Sequence, residues 1–323
     1  MSRKFYLAVI AAFALVAGGA LTDASAAVVS KVPGYAVNNG DVNGDWKIDV
    51  GDAANLLGYL FMGGPAPVEL AYCGGEPSKV RNGDIDGNGS LNVNDAVKLL
   101  NFLFARGSTP IAACAAGLPR VVPPDSDAFG LSLAEWTETY WRWNFGGADP
   151  AQGMVGKTRL LPIPSGDLVS GSWTADDPAL LVGSIDITMP AGTPFMIPQF
   201  AWTAERYQGY PGVPDDPTFP DDQMLASVGV NLTIDGVPIV TDANKADFYI
   251  PPTFFNPILT YAAPSPYGSV AAILFQGCSA VYAPLPVGKH VMHLYEPYIV
   301  HDIMGFSFGT IYDNTWNIKV TPK

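Results

Sequence analysis

Two twelve-residue stretches rich in aspartate and asparagine constrain this chain more than any other feature. They run from Asp41 to Asp52 and from Asp84 to Asp95, and each has oxygen-bearing side chains at its positions 1, 3, 5, 9 and 12. A hard cation such as calcium takes about six to eight oxygen ligands, which alternate side chains and one backbone carbonyl can supply. The spacing therefore predicts that each stretch wraps around one Ca²⁺ ion.

The predicted ligands are five side chains and one backbone carbonyl in each loop. In the first loop they are Asp41, Asn43, Asp45, Asp49 and Asp52, with the carbonyl of Lys47. In the second loop they are Asp84, Asp86, Asn88, Asn92 and Asp95, with the carbonyl of Ser90. The alternative is a pair of Asx-rich turns that bind nothing, although turns do not need oxygen ligands at all five positions.

The loops belong to an internal repeat in which each loop runs directly into an amphipathic stretch. The first stretch predicts a helix from about Gly51 to Met62, ending at a Gly-Gly-Pro sequence. Its apolar residues share a 3,4 spacing that indicates one buried face. They are Leu56, Leu57, Leu60 and Phe61, which recur as Leu99, Leu100, Leu103 and Phe104. We expect the two faces to pack on each other and Ile48 to pair with Leu91 across the loops.

Each loop is followed by a helix and has none before it, and in this respect residues 36–115 resemble a dockerin. Dockerins are duplicated calcium-loop domains that attach secreted proteins to a cohesin-type receptor. The resemblance implies a small all-α module, two Ca²⁺ ions held by the residues named above, and a cohesin-like or cell-surface protein as partner. It also implies polysaccharide-degrading assemblies as the usual setting. Trp46 departs from the pattern, because loop position 6 is a sharp turn that favours glycine, so we expect strain there.

The three cysteines of the chain predict one disulfide and one free thiol. Cys73 and Cys114 lie at nearly equivalent places in the two repeats, so we expect them to be bonded to each other; two free thiols are the alternative. A disulfide would add stability to a module whose hydrophobic core is so small. Cys278 lies in an apolar strand pattern and is expected to be a buried free thiol.

Residues 1–26 have the pattern of a secretory signal, with Arg3 and Lys4 before an apolar stretch and a small-residue cleavage site at its end. A membrane anchor is the alternative, but the apolar run is short and no stop-transfer charges follow. We therefore expect a secreted, extracellular or cell-surface protein with no membrane span in the mature chain. A net charge of −13 argues against nucleic acid or an anionic membrane as partner.

After an extended linker at 116–127, residues 128–323 predict a mainly antiparallel β-sandwich with one N-terminal aromatic helix. A capping box begins at Ser132, and Trp136, Tyr140 and Trp143 fall on one face of the helix, which either packs on a sheet or forms a sugar-stacking platform. Strands are expected at 184–189, 194–201, 228–234, 246–250, 269–282, 290–295 and 314–320. The motifs at 190–198, 234–238 and 283–290 resemble a family of uncharacterised secreted bacterial proteins, which implies fold and export but no reaction.

The longest irregular stretch is expected at 203–223, where aromatic residues stand beside carboxylates. It could bind a sugar or a third calcium ion, or supply an acid and base pair; a solvated, proline-stiffened loop is the alternative. The candidate catalytic residues are Glu205, Asp215, Asp216, Asp221 and Asp222. His290 and His293 would point to opposite faces of a strand, so no shared metal is expected there.

These features predict a secreted, dockerin-type calcium-binding protein that tethers a glycan- or protein-binding β-sandwich to a cohesin-like or cell-surface partner. The alternative is a secreted polysaccharide-degrading hydrolase carried by the same module. No serine-nucleophile elbow, zinc-protease motif or phosphate-binding loop occurs in the sequence, so the enzymatic alternative depends on the carboxylates between 203 and 223.

Overall fold

The computed structural model describes residues 34–116, 118–146, 153–164, 166–208, 215–265 and 268–323. The predicted signal sequence at 1–26 lies outside these residues. The chain divides into two compact units. The first, which we call the calcium-loop unit, ends at Leu133 and also contains residues 281–285; the second, the sheet unit, contains residues 134–280 and 286–323.

Two helices follow the two loops, as the repeat predicts. Helix α1 spans Val50–Met62 and α2 spans Val93–Ala105. Both begin with a capping box, in which the loop residue Asp49 or Asn92 caps the helix and the residue three positions later caps in return. Helix α1 ends at Gly63 in the left-handed conformation, a common C-cap for a residue without a Cβ atom.

Short strands accompany these helices, so the all-α description of the module is incomplete. Strand β1 (Tyr35–Ala36) pairs in parallel with β2 (Glu69–Leu70), and β3 (Tyr72–Cys73) pairs antiparallel with β4 (Arg120–Val121). Strand β4 lies in the segment expected to be a linker. Tyr282 pairs with Val121 of β4 and completes the strand contacts of this unit.

The core of the calcium-loop unit consists of two clusters that exchange residues between the repeats. One contains Val42, Leu56 and Ala96, and the other contains the repeat equivalents Ile85, Leu99 and Ala53. Each helix therefore contributes to both clusters. Leu91 packs against the first cluster and Ile48 against the second, so these two residues lie in separate clusters rather than in the expected pair.

The apolar helix faces are only partly buried. Leu56 and Leu99 are fully buried, but Phe61 and Phe104 are 68% and 72% exposed, which corrects the expectation that they pack between the helices. The residues just before them, Leu60 and Leu103, still pack against the core clusters, so Phe61 and Phe104 are exposed because they lie further around the helix from Leu56 and Leu99. Two repeat-equivalent aromatic rings are thereby left on the surface of the unit.

A disulfide joins Cys73 and Cys114, and this confirms the pairing inferred from their places in the repeats. Their sequence separation is 41 residues. Cys114 also packs with Ala36, Leu70 and Ala113 in a third small cluster. Cys278 is a free and buried thiol, as expected.

The sheet unit contains most of the strands, and the protein is mostly β. Its helices are α3 (Leu133–Phe145) and the short α4 (Asp221–Ser227). Its strands are β5 (Met154–Val155), β6 (Thr158–Leu160), β7 (Asp167–Ser170), β8 (Ala179–Pro190), β9 (Phe195–Tyr207), β10 (Asn231–Ile234), β11 (Val237–Thr241), β12 (Tyr249–Thr260), β13 (Ser269–Tyr282), β14 (Gly288–Ile303) and β15 (Phe306–Thr321). The strands expected at 184–189, 194–201, 269–282, 290–295 and 314–320 correspond to β8, β9, β13, β14 and β15. The strand expected at 228–234 begins only at Asn231, and the one expected at 246–250 is mostly a turn, because β12 begins at Tyr249. Strands β5, β6, β7 and β11 were not predicted.

Two sheets form in this unit. One has the strand order β11-β10-β14-β15-β8-β7. The other has the order β13-β9-β6-β5, and β12 also pairs with β13. The pairs β8–β15 and β6–β9 are parallel and the other pairs with a described register are antiparallel. The sheets are therefore mixed, because β15 returns beside a strand that lies more than a hundred residues earlier in the chain.

Aromatic side chains connect β9 with β14 and β15 of the other sheet. The ring of Phe200 lies 6.4 Å from that of Tyr298, and the ring of Trp202 lies 6.3 Å from that of Phe308. Alternate residues along β14 and β15 are buried, so one face of that sheet points inward. Helix α3 buries Trp136, Tyr140 and Trp141. The buried face therefore includes Trp141 in place of the predicted Trp143, and it is rotated by part of a turn from the predicted face.

Candidate metal centre

The second calcium loop brings three predicted ligands together. One carboxylate oxygen each of Asp84, Asp86 and Asp95 lie within 4.8 Å of one another. Asp84 and Asp95 are buried. Backbone amides hold both carboxylates in place: Gly89 donates to Asp84 Oδ2 at 2.8 Å, and Asn92 donates to Asp95 Oδ2 at 3.0 Å. Loop positions 1 and 12 are therefore fixed toward the same point before any ion is bound.

The first loop holds its positions 1 and 12 in the same manner. Trp46 donates its backbone N–H to Asp41 Oδ2 at 3.0 Å, and Asp52 accepts backbone N–H groups of Val42 at 2.8 Å and Asp49 at 2.8 Å. Asp41 Oδ1 is buried and has no hydrogen-bond partner among the described residues. Burying a carboxylate oxygen without a hydrogen-bond donor has a high desolvation cost, which a coordinated cation would offset.

Electrostatics support the same interpretation for the first loop. Burial, followed by the nearby carboxylate of Asp52, raises the pKa of Asp41 to about 7. Burial also raises the pKa of Asp52. Both shifts arise because negative charge is concentrated in a partly desolvated place without a compensating cation. A divalent ion at this place would reverse the effect, so the donor set fits an oxygen-ligated cation.

The remaining side-chain ligand positions organise the loop backbone. Asn43 and Asp45 accept the N–H groups of the residues two positions later, and Asn88 does the same in the second loop. Asp49 and Asn92 accept the N–H groups of Gly51 and Asn94 as helix caps. The carbonyl positions, Lys47 and Ser90, are exposed. Each loop is thus built around its oxygen-bearing side chains.

One predicted ligand of the second loop already has a cationic partner. The ammonium group of Lys98 lies 2.7 Å from Asp86 Oδ2, and this hydrogen bond lowers the pKa of Asp86. The equivalent residue in the first repeat is Asn55, which instead donates to the carbonyl of Gly51. A calcium ion in the second loop would therefore compete with Lys98 for Asp86.

Trp46 adopts a left-handed backbone conformation, with φ of 72°. This confirms the strain expected from a residue other than glycine at loop position 6. Its ring contacts Tyr35, at a centroid distance of 5.5 Å, and Phe129, at 5.0 Å. The aromatic contacts offset the backbone strain, which explains why the position can hold tryptophan.

Asn39 and Asn82 connect the two loops, and the sequence analysis assigned them no role. Asn39 Nδ2 donates to the carbonyl of Asp84 and Asn82 Nδ2 donates to the carbonyl of Asp41, each at 2.7 Å. Their Oδ1 atoms accept the N–H groups of Gly83 and Gly40 in the same crossed manner. The recurrence of Asn-Gly-Asp in both repeats was the signal in the sequence. These bonds tie the position 1 ligand of each loop to the other repeat.

The carboxylates proposed as catalytic candidates are only partly brought together. Strand β9 continues to Tyr207 and α4 begins at Asp221, so the irregular stretch is shorter than the expected 203–223, and residues 209–214 lie outside the described residues. Asp215 pairs with Arg206, Asp221 accepts the hydroxyl of Tyr249, and Asp222 is exposed. Only Glu205 and Asp216 are adjacent.

Glu205 is buried and Asp216 is half-buried, and the hydrogen bonds of both are internal. The backbone N–H of Glu205 donates to Asp216 Oδ2 at 3.0 Å, and the hydroxyls of Tyr261 and Tyr207 donate to Glu205 and Asp216, respectively. Burial raises the pKa of Glu205 to about 7 and that of Asp216 to about 6. Both shifts arise because the two carboxyl groups are withdrawn from water.

We expect Glu205→Gln to raise the stability of the sheet unit at about pH 8 and to leave it unchanged near pH 4. The folded state holds the Glu205 proton more tightly than the unfolded state, so the free energy of unfolding falls as the pH rises from the ordinary glutamate pKa of 4.5 to about 7. The loss is roughly 3 kcal/mol, and the glutamine variant avoids it. Denaturant unfolding across this range measures the difference, with Asp215→Asn as the exposed control. An identical pH profile in Glu205→Gln and the parent protein would contradict the prediction.

The late histidines have separate partners. His290 Nδ1 lies 2.7 Å from Asp235, and His293 Nε2 lies 2.7 Å from Asp313. Each imidazole is thus paired with its own aspartate.

Comparisons with known proteins add little to this geometry. No family model and no curated protein matches the chain. The crystal structure of a mutant of the enterotoxigenic E. coli CFA/I adhesin CfaE shares 13% identity and a TM-score of 0.20, covering 50% of this chain and 49% of the adhesin. The chain thus spans about half the length of that structure, and so small a likeness carries no argument about function. Within the described residues, no helix has both the length and the apolar character needed to cross a membrane.

Proposed function

We propose that this protein is a secreted, dockerin-like calcium-binding protein in which the calcium-loop unit binds two Ca²⁺ ions and tethers the sheet unit to a cohesin-like or cell-surface partner. The sheet unit serves as a β-sandwich that binds a glycan or a protein. The observation that carries the proposal is the pair of loops related by the repeat, in which buried aspartates at positions 1 and 12 converge. The orphaned Oδ1 of Asp41 and the cluster of Asp84, Asp86 and Asp95 support an ion in each loop.

The exposed rings of Phe61 and Phe104 support the tethering role. They occupy equivalent positions near the ends of α1 and α2, and large exposed aromatic groups are typical of docking surfaces. Calcium would act indirectly, because Asp49, Asp52, Asn92 and Asp95 form the capping boxes that begin the same two helices. Ion binding would thereby fix the helices that present the rings.

Export is supported by the sequence pattern of residues 1–26 and by the Cys73–Cys114 disulfide, since disulfides persist in oxidising compartments. The hydrolase alternative has less support. Among the described candidates, only Glu205 and Asp216 lie together, and their hydrogen bonds are internal to the sheet unit. The proposal therefore assigns binding, not catalysis, to the sheet unit.

Calorimetric titration of the metal-stripped protein tests the calcium step, and we expect two binding events for Ca²⁺ with weaker heats for Mg²⁺. A pull-down from the envelope of the producing cell, with calcium or with chelator, tests the tethering step. Phe61→Ser combined with Phe104→Ser is expected to retain calcium binding and lose the partner. Absence of calcium heat at millimolar concentration would refute the first step, and calcium-independent capture would refute the second.

A further inference from the structure

A cavity of about 90 Å³ lies inside the sheet unit. It is lined by residues of β9 from one sheet and by residues of β14 and β15 from the other, together with side chains of α3. A cavity of this size has room for a molecule of a few heavy atoms. Its chemistry is independent of the calcium loops, since all its lining residues belong to the sheet unit.

The acidic residue Glu296 lines this cavity and is buried, with 4% of its surface exposed. It lies on the inward face of β14, directly opposite Tyr312 of β15 in the strand register. Among the described residues its carboxyl group has no hydrogen bond or ion pair, and burial alone raises its pKa well above the usual range. A buried carboxyl group of this kind normally has a bonding partner, because its desolvation is costly.

No charged side chain of the described sheet unit compensates Glu296. The titratable groups that interact with it are Cys278, Tyr298 and Tyr312, and burial raises the pKa of all three. All are therefore neutral near physiological pH. The partner that Glu296 lacks is a hydrogen-bond donor, and a positively charged donor would form the strongest bond.

Other atoms of the cavity favour the same class of partner. The rings of Phe200, Tyr312 and Trp316 line the cavity, and aromatic faces attract organic cations. Trp141, which also lines the cavity, has a buried Nε1–H donor without a described partner. A ligand that bonds to Glu296 through its cationic group would therefore also need a hydrogen-bond acceptor for Trp141.

We propose that this cavity binds a small primary ammonium compound that also carries a hydroxyl group, with the ammonium group at the carboxyl group of Glu296. The hydroxyl oxygen accepts the Nε1–H of Trp141. Entry occurs beside Phe145, Thr203 and Tyr312, which line the cavity and are partly exposed. This assigns the sheet unit a small-molecule amine as ligand, in addition to the glycan or protein considered above.

The test uses ethanolamine as the probe and ethylene glycol, in which a hydroxyl replaces the ammonium group, as the neutral control of similar size. Saturation-transfer NMR and the fluorescence of the full-length protein measure binding, since Trp141 and Trp316 line the cavity. We expect saturable binding of ethanolamine at millimolar or lower concentration and at least about tenfold weaker binding of ethylene glycol. Calorimetry in two buffers is expected to detect proton release as the ammonium group ionises Glu296.

Glu296→Gln keeps the size of the side chain and is expected to weaken ethanolamine binding at least about tenfold. Glu205→Gln is the matched control, because Glu205 is a buried acid of the same unit that does not line the cavity, and it should bind ethanolamine like the parent protein. Thr203→Leu, which narrows the cavity without touching the acid, provides a second test. Absence of saturable ethanolamine binding, equal binding of ethylene glycol, or unchanged ethanolamine binding in Glu296→Gln would each overturn the proposal, and unchanged binding in Thr203→Leu would overturn the assignment of the ligand to this cavity.

Discussion

Replacing Asp95 by asparagine is expected to lower the calcium affinity of the second loop on the order of 100-fold or more, since even changes to residues that only support a metal ligand commonly cost about 10- to 100-fold. Asp95 is fully buried and accepts the backbone N–H groups of Ile85 and Asn92. In asparagine one carboxylate oxygen is replaced by an NH₂ group, which is a donor and cannot accept the backbone N–H that faces it. The variant therefore loses a charged ligand, the loop closure and the cap of α2 together.

The repeat supplies a matched variant, Asp52→Asn, which makes the same change in the first loop. Each single variant is expected to convert a two-event calcium titration into a one-event titration, and the double variant is expected to bind no calcium. Asp125→Asn, an exposed aspartate of the same unit outside both loops, controls for the loss of charge. Two remaining binding events in the double variant would contradict the assignment of these residues as ligands.

Removing the disulfide through Cys73→Ser and Cys114→Ser together is expected to destabilise the calcium-loop unit by roughly 4 kcal/mol on the chain-entropy model. The size follows from the separation of 41 residues, because the bond closes a long loop in the unfolded chain. Both cysteines are replaced so that no free thiol remains.

Chemical unfolding in the presence of chelator measures this effect without the contribution of bound calcium, since an ion that binds only the folded unit adds stability. Cys278→Ala is the control, because that thiol lies in the sheet unit and should affect only its transition. A change in the unfolding free energy of the calcium-loop unit below about 1 kcal/mol would show that the disulfide does not stabilise this unit.

The two predictions depend on features that were readable from the sequence for a common reason. Ligand spacing, the capping boxes at Asp49 and Asn92, and the helices that follow are local, and local patterns are fixed by neighbouring residues. The pairing of Cys73 with Cys114 is not local, but it could be predicted because the two cysteines occupy nearly equivalent places in the two repeats. Strand β13, predicted at 269–282, was likewise found at Ser269–Tyr282, because Gly268 and the prolines after Tyr282 limit a continuous apolar run.

Other features depended on which distant segments meet. The parallel pairing of β8 with β15, the burial of Trp141 and the partial exposure of the predicted helix faces could not be derived from spacing. Periodicity tells which residues share a face, but not how much of the width of that face the partner covers. This is why Phe61 and Phe104 were expected inside and lie outside, although Leu60 and Leu103 beside them pack against the core.

The sequence by itself determined two repeated oxygen-rich loops, each followed by a capped helix, one disulfide, and a strand-rich remainder, because these follow from residue type and short-range spacing. The tertiary structure alone decided the crossed bonds of Asn39 and Asn82, the exchanged core clusters of the two repeats, and the placement of Glu296 beside a cavity. These depend on contacts between residues tens to hundreds of positions apart, whose geometry is set by the packing of whole helices and sheets.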